Sequence, residues 1–389
     1  MPRVYFDNNA TTPVLPEVFE AMRPYLLEEY GNASSIHQHG QQARAAVDNA
    51  RESVARLLGC RASEVVFTSG GTEADNLAIF GMASEGDHII TSSIEHHAVL
   101  NACNRLQSAG CDVTYLPVDG RGQINPDDVR RALRPSTKLI SIMMANNETG
   151  VLQPVDEVGR IATEAGLNFH TDAVQAAAKV AISVKEIGCN LLSISGHKIH
   201  APKGIGALYV GKGTLLQPML YGGSHERSRR AGTENVPGIV ALGKAAEIAL
   251  AGLANGAVKN LEVLRDTLQT SILGNLDCVG VNGNGVPRVA NTTNIYFDHI
   301  EGEAMIIALD LKGLAVSTGA ACSSGAIEPS HVLTAMGLTA DRARASIRFS
   351  LGKQNTAEEI GYALALIPEV VTRLRDLSPV YNRKQAVGS

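Results

Sequence analysis

Two residues define the chemistry open to this chain: Asp172, in H-T-D-A-V-Q, and Lys198, which closes L-L-S-I-S-G-H-K. Each follows a short apolar run, so each side chain leaves the end of a strand rather than a solvated helix face. An acid and a lysine so placed are what pyridoxal phosphate requires. The lysine amine would hold the cofactor aldehyde as a Schiff base, and the acid would keep the pyridine nitrogen protonated so that the ring withdraws electrons. Asp172 needs a partner in any case, because an unpaired buried carboxylate is expensive. A structural ion pair would satisfy it as well as a pyridinium. Lys203, in A-P-K-G, competes with Lys198, but Lys198 ends an apolar strand and has Ser195 and His197 beside it.

Four further features could share that site. In V-V-F-T-S-G-G-T-E (65–73) a strand runs into Gly70, Gly71 and Thr72 and then into a helical pattern. Glycines let the backbone approach an anion, and the helix start offers free N–H groups. The turn suits a phosphate, with the hydroxyl of Thr72 as a donor and Ser195 and His197 available to the same group; an ordinary strand-to-helix turn would look alike. His96, in S-I-E-H-H-A-V-L, suits a ring that stacks on a cofactor and moves protons, though spacing alone does not separate it from His97. Cys322 lies in S-T-G-A-A-C-S-S-G, a run of small residues that is poor core material and good loop material, so its thiol reads as a nucleophile. Arg348, in S-I-R-F-S, is a lone guanidinium in a strand of small and apolar residues, and its fork matches an amino-acid carboxylate.

Two patterns are set aside. Gly206–Gly213 nearly spells a nucleotide-triphosphate loop, but Gly213 stands where a hydroxyl should hold Mg²⁺ and A-L-Y-V is strand-like. The histidine pairs at 37 and 39 and at 197 and 200 lack a third ligand, so no resident metal is expected.

These residues need a scaffold of strands. Apolar, β-prone runs recur at Glu64–Thr68, His88–Thr91, Val113–Leu116, Leu139–Met144, Leu167–Thr171, Leu191–Ser195 and Ala207–Val210, with helical stretches between them. Nearly continuous hydrophobic runs fit strands buried on both faces of a mostly parallel sheet. Gln41–Leu58 and Val258–Leu273 carry helical faces, Gly59 is placed to cap the first, and the Gly/Ala-rich stretch 238–256 reads as a long helix or hinge. A strand over T-N-I-Y-F, a helix near Glu303–Leu311 and a strand at Ile347–Leu351 follow. Ala357–Leu377 is helical, with Pro368 expected to break it. The 389 residues exceed the roughly 250–300 that one core usually serves. The expected fold is therefore α/β and doubly wound, with a large domain over 14–255 and a small α+β domain formed by 1–13 and 256–389.

Composition narrows the setting. The net charge of −5 gives no sign of a nucleic-acid surface, and no uncharged apolar stretch approaches the ~18 residues of a membrane span. The start lacks the apolar core of a signal peptide. Six cysteines (60, 103, 111, 189, 278 and 322) are scattered without a C-x-x-C pair, which fits a reducing compartment, the cytoplasm.

Taken together, the chain resembles the cysteine desulfurases, class V aminotransferase-like pyridoxal phosphate enzymes of fold type I. The likeness runs from D-N-N-A-T-T-P (7–13) to L-S-P-V-Y (377–381). It includes G-N-A-S-S-I-H, E-H-H-A-V-L, A-N-N-E-T-G, S-G-H-K, A-A-C-S-S-G, E-P-S-H-V-L and S-I-R-F-S-L. In detail N-N-E-T-G, T-D-A-V-Q-A and R-R-A-G-T-E-N resemble the nitrogen-fixation (NifS) branch more than the housekeeping (IscS) one.

The resemblance implies the following roles. Lys198 is the Schiff-base lysine, Asp172 meets the pyridine nitrogen and Gln175 the ring's phenolic oxygen. His96 stacks on the ring and shuttles protons. Gly71, Thr72, Ser195 and His197 hold the phosphate, joined by Thr233 from the other subunit of a homodimer. Asn147 and Arg348 bind the substrate carboxylate, with Asn147 also beside the cofactor. Cys322 takes sulfur from L-cysteine as a persulfide, leaving alanine, and passes it to an iron–sulfur scaffold protein, where it would meet a cluster only transiently. Two positions depart from the family: Ala33 replaces a usual proline, and His97 stands where the family varies. The alternatives are a selenocysteine lyase, a housekeeping desulfurase or an aminotransferase on the same fold. A non-catalytic sulfur-transfer scaffold is disfavoured by the intact Lys198, Asp172, His96 and Cys322.

Overall fold

The structure is a computed structural model and describes residues 3–318 and 329–378. Its first strands in chain order are β1 (Val4–Tyr5), β2 (Val65–Thr68), β3 (His88–Ser92), β4 (Asp112–Leu116) and β5 (Thr137–Ser141). They are followed by β6 (Asn168–Asp172), β7 (Leu191–Ser195) and β8 (Gly206–Val210), then by β9 (Val279–Asn282), β10 (Thr292–Phe297), β11 (Leu314–Ala315) and β12 (Ser346–Ser350).

The central sheet runs β2-β8-β7-β6-β5-β3-β4. Neighbours from β7 across to β4 are parallel, and β8 alone is antiparallel, to both β2 and β7. A parallel crossover needs a dozen or more residues. The link between β7 and β8, residues 196–205, is too short for one, so the chain turns back. Lys198 sits in that turn.

Alternate side chains of the strands enter two different layers. Val65, Phe67, Ile90, Ile140, Leu192, Ile194 and Ala207 face a core closed by the helices Gln38–Leu58, Val155–Glu164 and Val236–Ala254. Val66, Ile89, Leu139, Leu191 and Leu208 face another, closed by Gly71–Phe80 and His97–Gln107. Gln38–Leu58 is capped at its start by the ring of His37, which accepts from Gly40 N at 3.2 Å, and at its end by Gly59 in the left-handed conformation. The stretch expected as a helix or hinge is the helix Val236–Ala254. It is long and apolar enough to cross a membrane by composition, yet its Ile239, Leu242, Ala245 and Ala246 are buried in the core.

A separate cluster forms around the antiparallel sheet β12-β10-β9 and the parallel pair β1-β11. Val4 and Phe6 pack there with Leu268, Phe297, Phe349 and Ile367. One of its helices, Ala357–Asp376, corrects the expected break at Pro368, because it runs through the proline. Proline in a helix interior costs ~3 kcal/mol. Six apolar residues around it, Ile360, Ala363, Leu366, Ile367, Val370 and Val371, are buried on one face and hold the helix in register.

Candidate active site

Side chains from the strand ends, the Gly70–Thr72 turn and the N-terminal segment enclose a cavity of about 550 Å³. In an open parallel sheet this edge, beyond the carboxyl ends of the strands, is where ligands sit. The lining includes Gly71, Thr72, His96, Asn147, Asp172, Gln175, Ser195, His197, Lys198 and Arg348. Lys203 and His97 line it too. Thr233 is exposed and lies off the cavity of its own chain. Cys322 lies outside the described residues.

Lys198 donates from Nζ to the carbonyls of Asn9 at 2.5 Å and Ala10 at 2.8 Å. Burial, then the charge of Arg348, lowers its pKa to about 8, against the opposing pull of Asp7 and Asp172. Asp172 ends β6 and is buried, with Oδ1 accepting from Val174 N at 2.8 Å. Burial raises its pKa above the ordinary carboxylate range.

Beneath Asp172, Asp75 is fully buried, and its Oδ1 finds no hydrogen-bond donor among the described residues. His170 Nε2 lies 3.6 Å from that oxygen. No ion pair results. The ring sits between Ser141 Oγ at 2.8 Å and Ser193 Oγ at 2.9 Å, and burial drives its pKa to about 3, leaving it neutral.

The turn to the helix Gly71–Phe80 is shaped for close approach. A Cβ on Gly71 would meet Val174 Cγ2 at 2.8 Å and Ser195 Cβ at 3.3 Å, so no side chain fits. The next residues of that helix are tied down by Glu73, which accepts from Arg230 and from Ser69 N. His197 Nδ1 lies 3.2 Å from Thr11 Oγ1; burial and the neighbouring lysines push its pKa to about 4.

Geometry distinguishes the two adjacent histidines. His96 caps the helix His97–Gln107, its Nδ1 accepting from Ala98 N at 3.1 Å. Burial first, then Lys198, lowers its pKa to about 4, so the ring is neutral and carries its proton on Nε2. His97 instead packs against the ring of His331, 4.8 Å between centroids.

Arg348 donates to Asp7 Oδ1 at 2.7 Å and to the carbonyl of Asn147 at 3.0 Å. Its buried Nε and the buried Oδ1 of Asn147 have no hydrogen-bond partner among the described residues. A ligand carboxylate and amine are the groups that would satisfy them.

Sequence reasoning gave no role to Asn9, yet it touches most of the site. Its carbonyl accepts from Lys198 and from Gln175 Nε2, at 2.9 Å. Its Oδ1 accepts from Lys179, and its Nδ2 donates to the carbonyl of Asn147. Asp7, Asp75 and Lys179 were missed as well. The polar run D-N-N-A-T-T beside β1 was the available signal, since so many side-chain donors and acceptors need partners.

The donor set fits pyridoxal phosphate. A carboxyl group raised by burial calls for a cation, a lowered lysine is ready to meet an aldehyde, and a glycine cup at a helix start suits a phosphate. This mixed sheet with its acid and lysine at one edge is the arrangement of a fold type I pyridoxal phosphate enzyme.

The comparisons agree with the geometry. The aminotransferase class-V model matches residues 4–362. The chain is 51% identical over 381 residues to the cysteine desulfurase IscS of Methanosarcina thermophila, covering 97% of this chain and 94% of that one. A solved NifS-like protein superposes with a TM-score of 0.88 at 39% identity, covering 96% of this chain and all of the other. A structure titled SspA in complex with cysteine gives 0.80 at 37%, covering 91% and 100%. The chain belongs to the class-V aminotransferase family, among its cysteine desulfurases. It is an enzyme of that family, and its cofactor is pyridoxal phosphate.

Proposed function

We propose that this protein removes sulfur from L-cysteine, releasing L-alanine and loading Cys322 as a persulfide for iron–sulfur cluster assembly. The observation that carries it is the convergence of Lys198, Asp172, His96 and Arg348 on one cavity, in a chain whose sequence supplies Cys322 in a small-residue run. Lys198 would hold the cofactor, with Asp172 at its ring nitrogen, Gln175 at its phenolic oxygen, and Gly71, Thr72, Ser195 and His197 at its phosphate. Thr233 would reach that phosphate from a second copy in a homodimer. Bound there, the cofactor draws electrons from the substrate Cα and so eases loss of the α-proton.

The chain's own groups do the rest. Arg348 and Asn147 orient the substrate through its carboxylate. The Lys198 amine, with its pKa lowered to about 8, is present as free base at neutral pH in a far larger fraction than an ordinary lysine, and so is available to take a proton. His96, which lines the cavity, holds its proton at Nε2. Cys322 thiolate forms an S–S bond with the substrate sulfur while the Cβ–S bond breaks, its electron pair staying on Cβ. Cβ is then protonated, the proton taken up by Lys198 returns to Cα, and alanine leaves. No outside oxidant is needed.

Supporting the NifS branch and nitrogenase maturation are N-N-E-T-G, T-D-A-V-Q-A and R-R-A-G-T-E-N; a relative named IscS points to general assembly instead. Division into a large domain (14–255) and a small one (1–13 with 256–389) is supported by the seven-stranded sheet and the two smaller sheets having separate cores. A cytoplasmic location rests on the scattered cysteines.

Incubation of the cofactor-loaded protein with L-cysteine, followed by peptide mass spectrometry, tests the reading. A gain of one sulfur atom on Cys322 with equimolar alanine is expected, and borohydride should fix the cofactor on Lys198. Undiminished sulfur release by Cys322→Ala would overturn it.

A further inference from the structure

Gln175 presents a carboxamide to the cavity, and the two ends of a carboxamide have nearly the same shape. What decides which end points where is hydrogen bonding alone. We propose that Lys179 is a positioning residue of this site: it holds the oxygen of the Gln175 carboxamide from behind, so that an N–H is left for an oxyanion in the cavity. The proposal rests on the reading above, in which that oxyanion is the phenolic oxygen of the cofactor.

The geometry is explicit. Lys179 stands one helical turn's spacing beyond Gln175, and its Nζ donates to Gln175 Oε1 at 2.6 Å and to Asn9 Oδ1 at 3.0 Å. Gln175 Nε2 donates to the Asn9 carbonyl at 2.9 Å. That bond uses one of the two amide hydrogens and leaves the other. A reversed amide would set its oxygen against the Asn9 carbonyl, a repulsive contact, and would give up the bond from Lys179 Nζ to Oε1.

Among the described residues no carboxylate forms an ion pair with Lys179. Its hydrogen-bond partners are the two amide oxygens, and the nearby charges of Lys198 and Arg348 join burial in holding its amine well below the usual lysine range. A group kept at such a site without an ion-pair partner serves its hydrogen bonds. Those bonds also polarise the Gln175 amide, which strengthens its free N–H as a donor. Lys179 also lines a second cavity of about 490 Å³, which shares Lys198 with the first.

A double-mutant cycle on cofactor affinity separates this role from a merely structural one. Lys179→Met is expected to weaken equilibrium uptake of pyridoxal phosphate by about tenfold, the scale of one hydrogen bond to a charged group. It should also move the pH midpoint of the bound cofactor's visible absorbance. In the Gln175→Ala background the same change should do nothing further, and Lys179→Arg, which keeps a donor, should stay within about threefold of the parent. Equal losses with and without Gln175 would overturn the proposal, as would unchanged affinity in Lys179→Met. If that variant does not fold, Lys179→Gln keeps a donor in its place, and the proposal falls if it binds as weakly as Gln175→Ala. A parent protein that takes up no cofactor would sink the functional reading itself, and is thereby distinguished.

Discussion

Arg348 and Asp7 are joined through a 2.7 Å contact that ties the middle of β12 to the segment after β1, with the arginine side chain almost wholly buried. The guanidinium's second arm holds the Asn147 carbonyl. Two of its donors are thus spent on position, and the buried Nε has no hydrogen-bond partner among the described residues.

Arg348→Lys keeps the charge and loses the fork. The KM for L-cysteine is expected to rise by roughly 10–100-fold, as for loss of a hydrogen bond to a charged group, with a smaller change in kcat. Retained cofactor absorbance would show that the cavity survives. An unchanged KM would remove Arg348 from substrate binding.

In cofactor-free protein, Lys198 should react with an amine-directed acylating reagent along a titration centred near pH 8. Only the neutral amine reacts, and burial beside Arg348 makes it neutral earlier than a free lysine. Peptide mapping across pH reads the midpoint; a value near the ordinary 10.5 would show the amine to be unperturbed.

Glu95 is buried beneath the site, with Oε1 accepting from Ser92 Oγ and Met143 N and Oε2 without a partner among the described residues. Burial pushes its pKa from 4.5 to about 8. The folded protein therefore keeps this proton where the unfolded chain loses it. The associated stability is complete below pH 4.5 and is lost as pH rises through 8, amounting to a few kcal/mol at most. Glu95→Gln imitates the protonated acid and should flatten that part of the fall in Tm. A Tm profile parallel to the parent's would contradict it.

Arg51 and Glu226 form a buried two-pronged pair at 2.6 and 2.7 Å, and Glu226 also accepts from Phe67 N. The pair fastens a turn whose residues 226–228 all have positive φ to the helix Gln38–Leu58. Arg51→Met strands a buried carboxylate and should cost about 3–5 kcal/mol in urea unfolding. Arg51→Met with Glu226→Leu should recover part of it.

Ala178 adopts φ 65° between Gln175 and the helix Val184–Ile187. Left-handed backbone costs a non-glycine residue roughly 1–2 kcal/mol, so Ala178→Gly should stabilise the protein by about 1 kcal/mol, readable as a higher Cm in urea. Loss of stability would mean that the methyl group's packing outweighs the strain.

Strands of the central sheet were legible because burial on both faces leaves nearly unbroken apolar runs, and their ends fall within a few residues of the sequence reading. Leu139–Met144 was read too far because Ile142 and Met143 stay buried after leaving the sheet. The direction of β8 was not read, since a buried run looks the same either way up; the brevity of 196–205 was the usable clue. Lys198, Asp172 and Arg348 stood out as polar groups at the ends or in the middle of apolar segments. Asn9, Asp7 and Lys179 did not: Asp7 and Arg348 are 341 positions apart, Asn9 and Asn147 are 138 apart, and the i, i+4 pair of Lys179 with Gln175 gains its purpose only from Asn9, 170 positions away.

The floor of the cavity has a consequence for how the enzyme is made. Residues 7–10 are made before their partners: Asp7 meets Arg348 across 341 positions, and Asn9 meets Lys198 across 189. The Asn9–Lys198 contact can close once residue 198 has emerged, whereas the Asp7–Arg348 contact has to wait for β12. Arg348 therefore joins the cavity last, after the Lys198 amine already has its supporting carbonyls, and completion of the site coincides with the closing stages of translation.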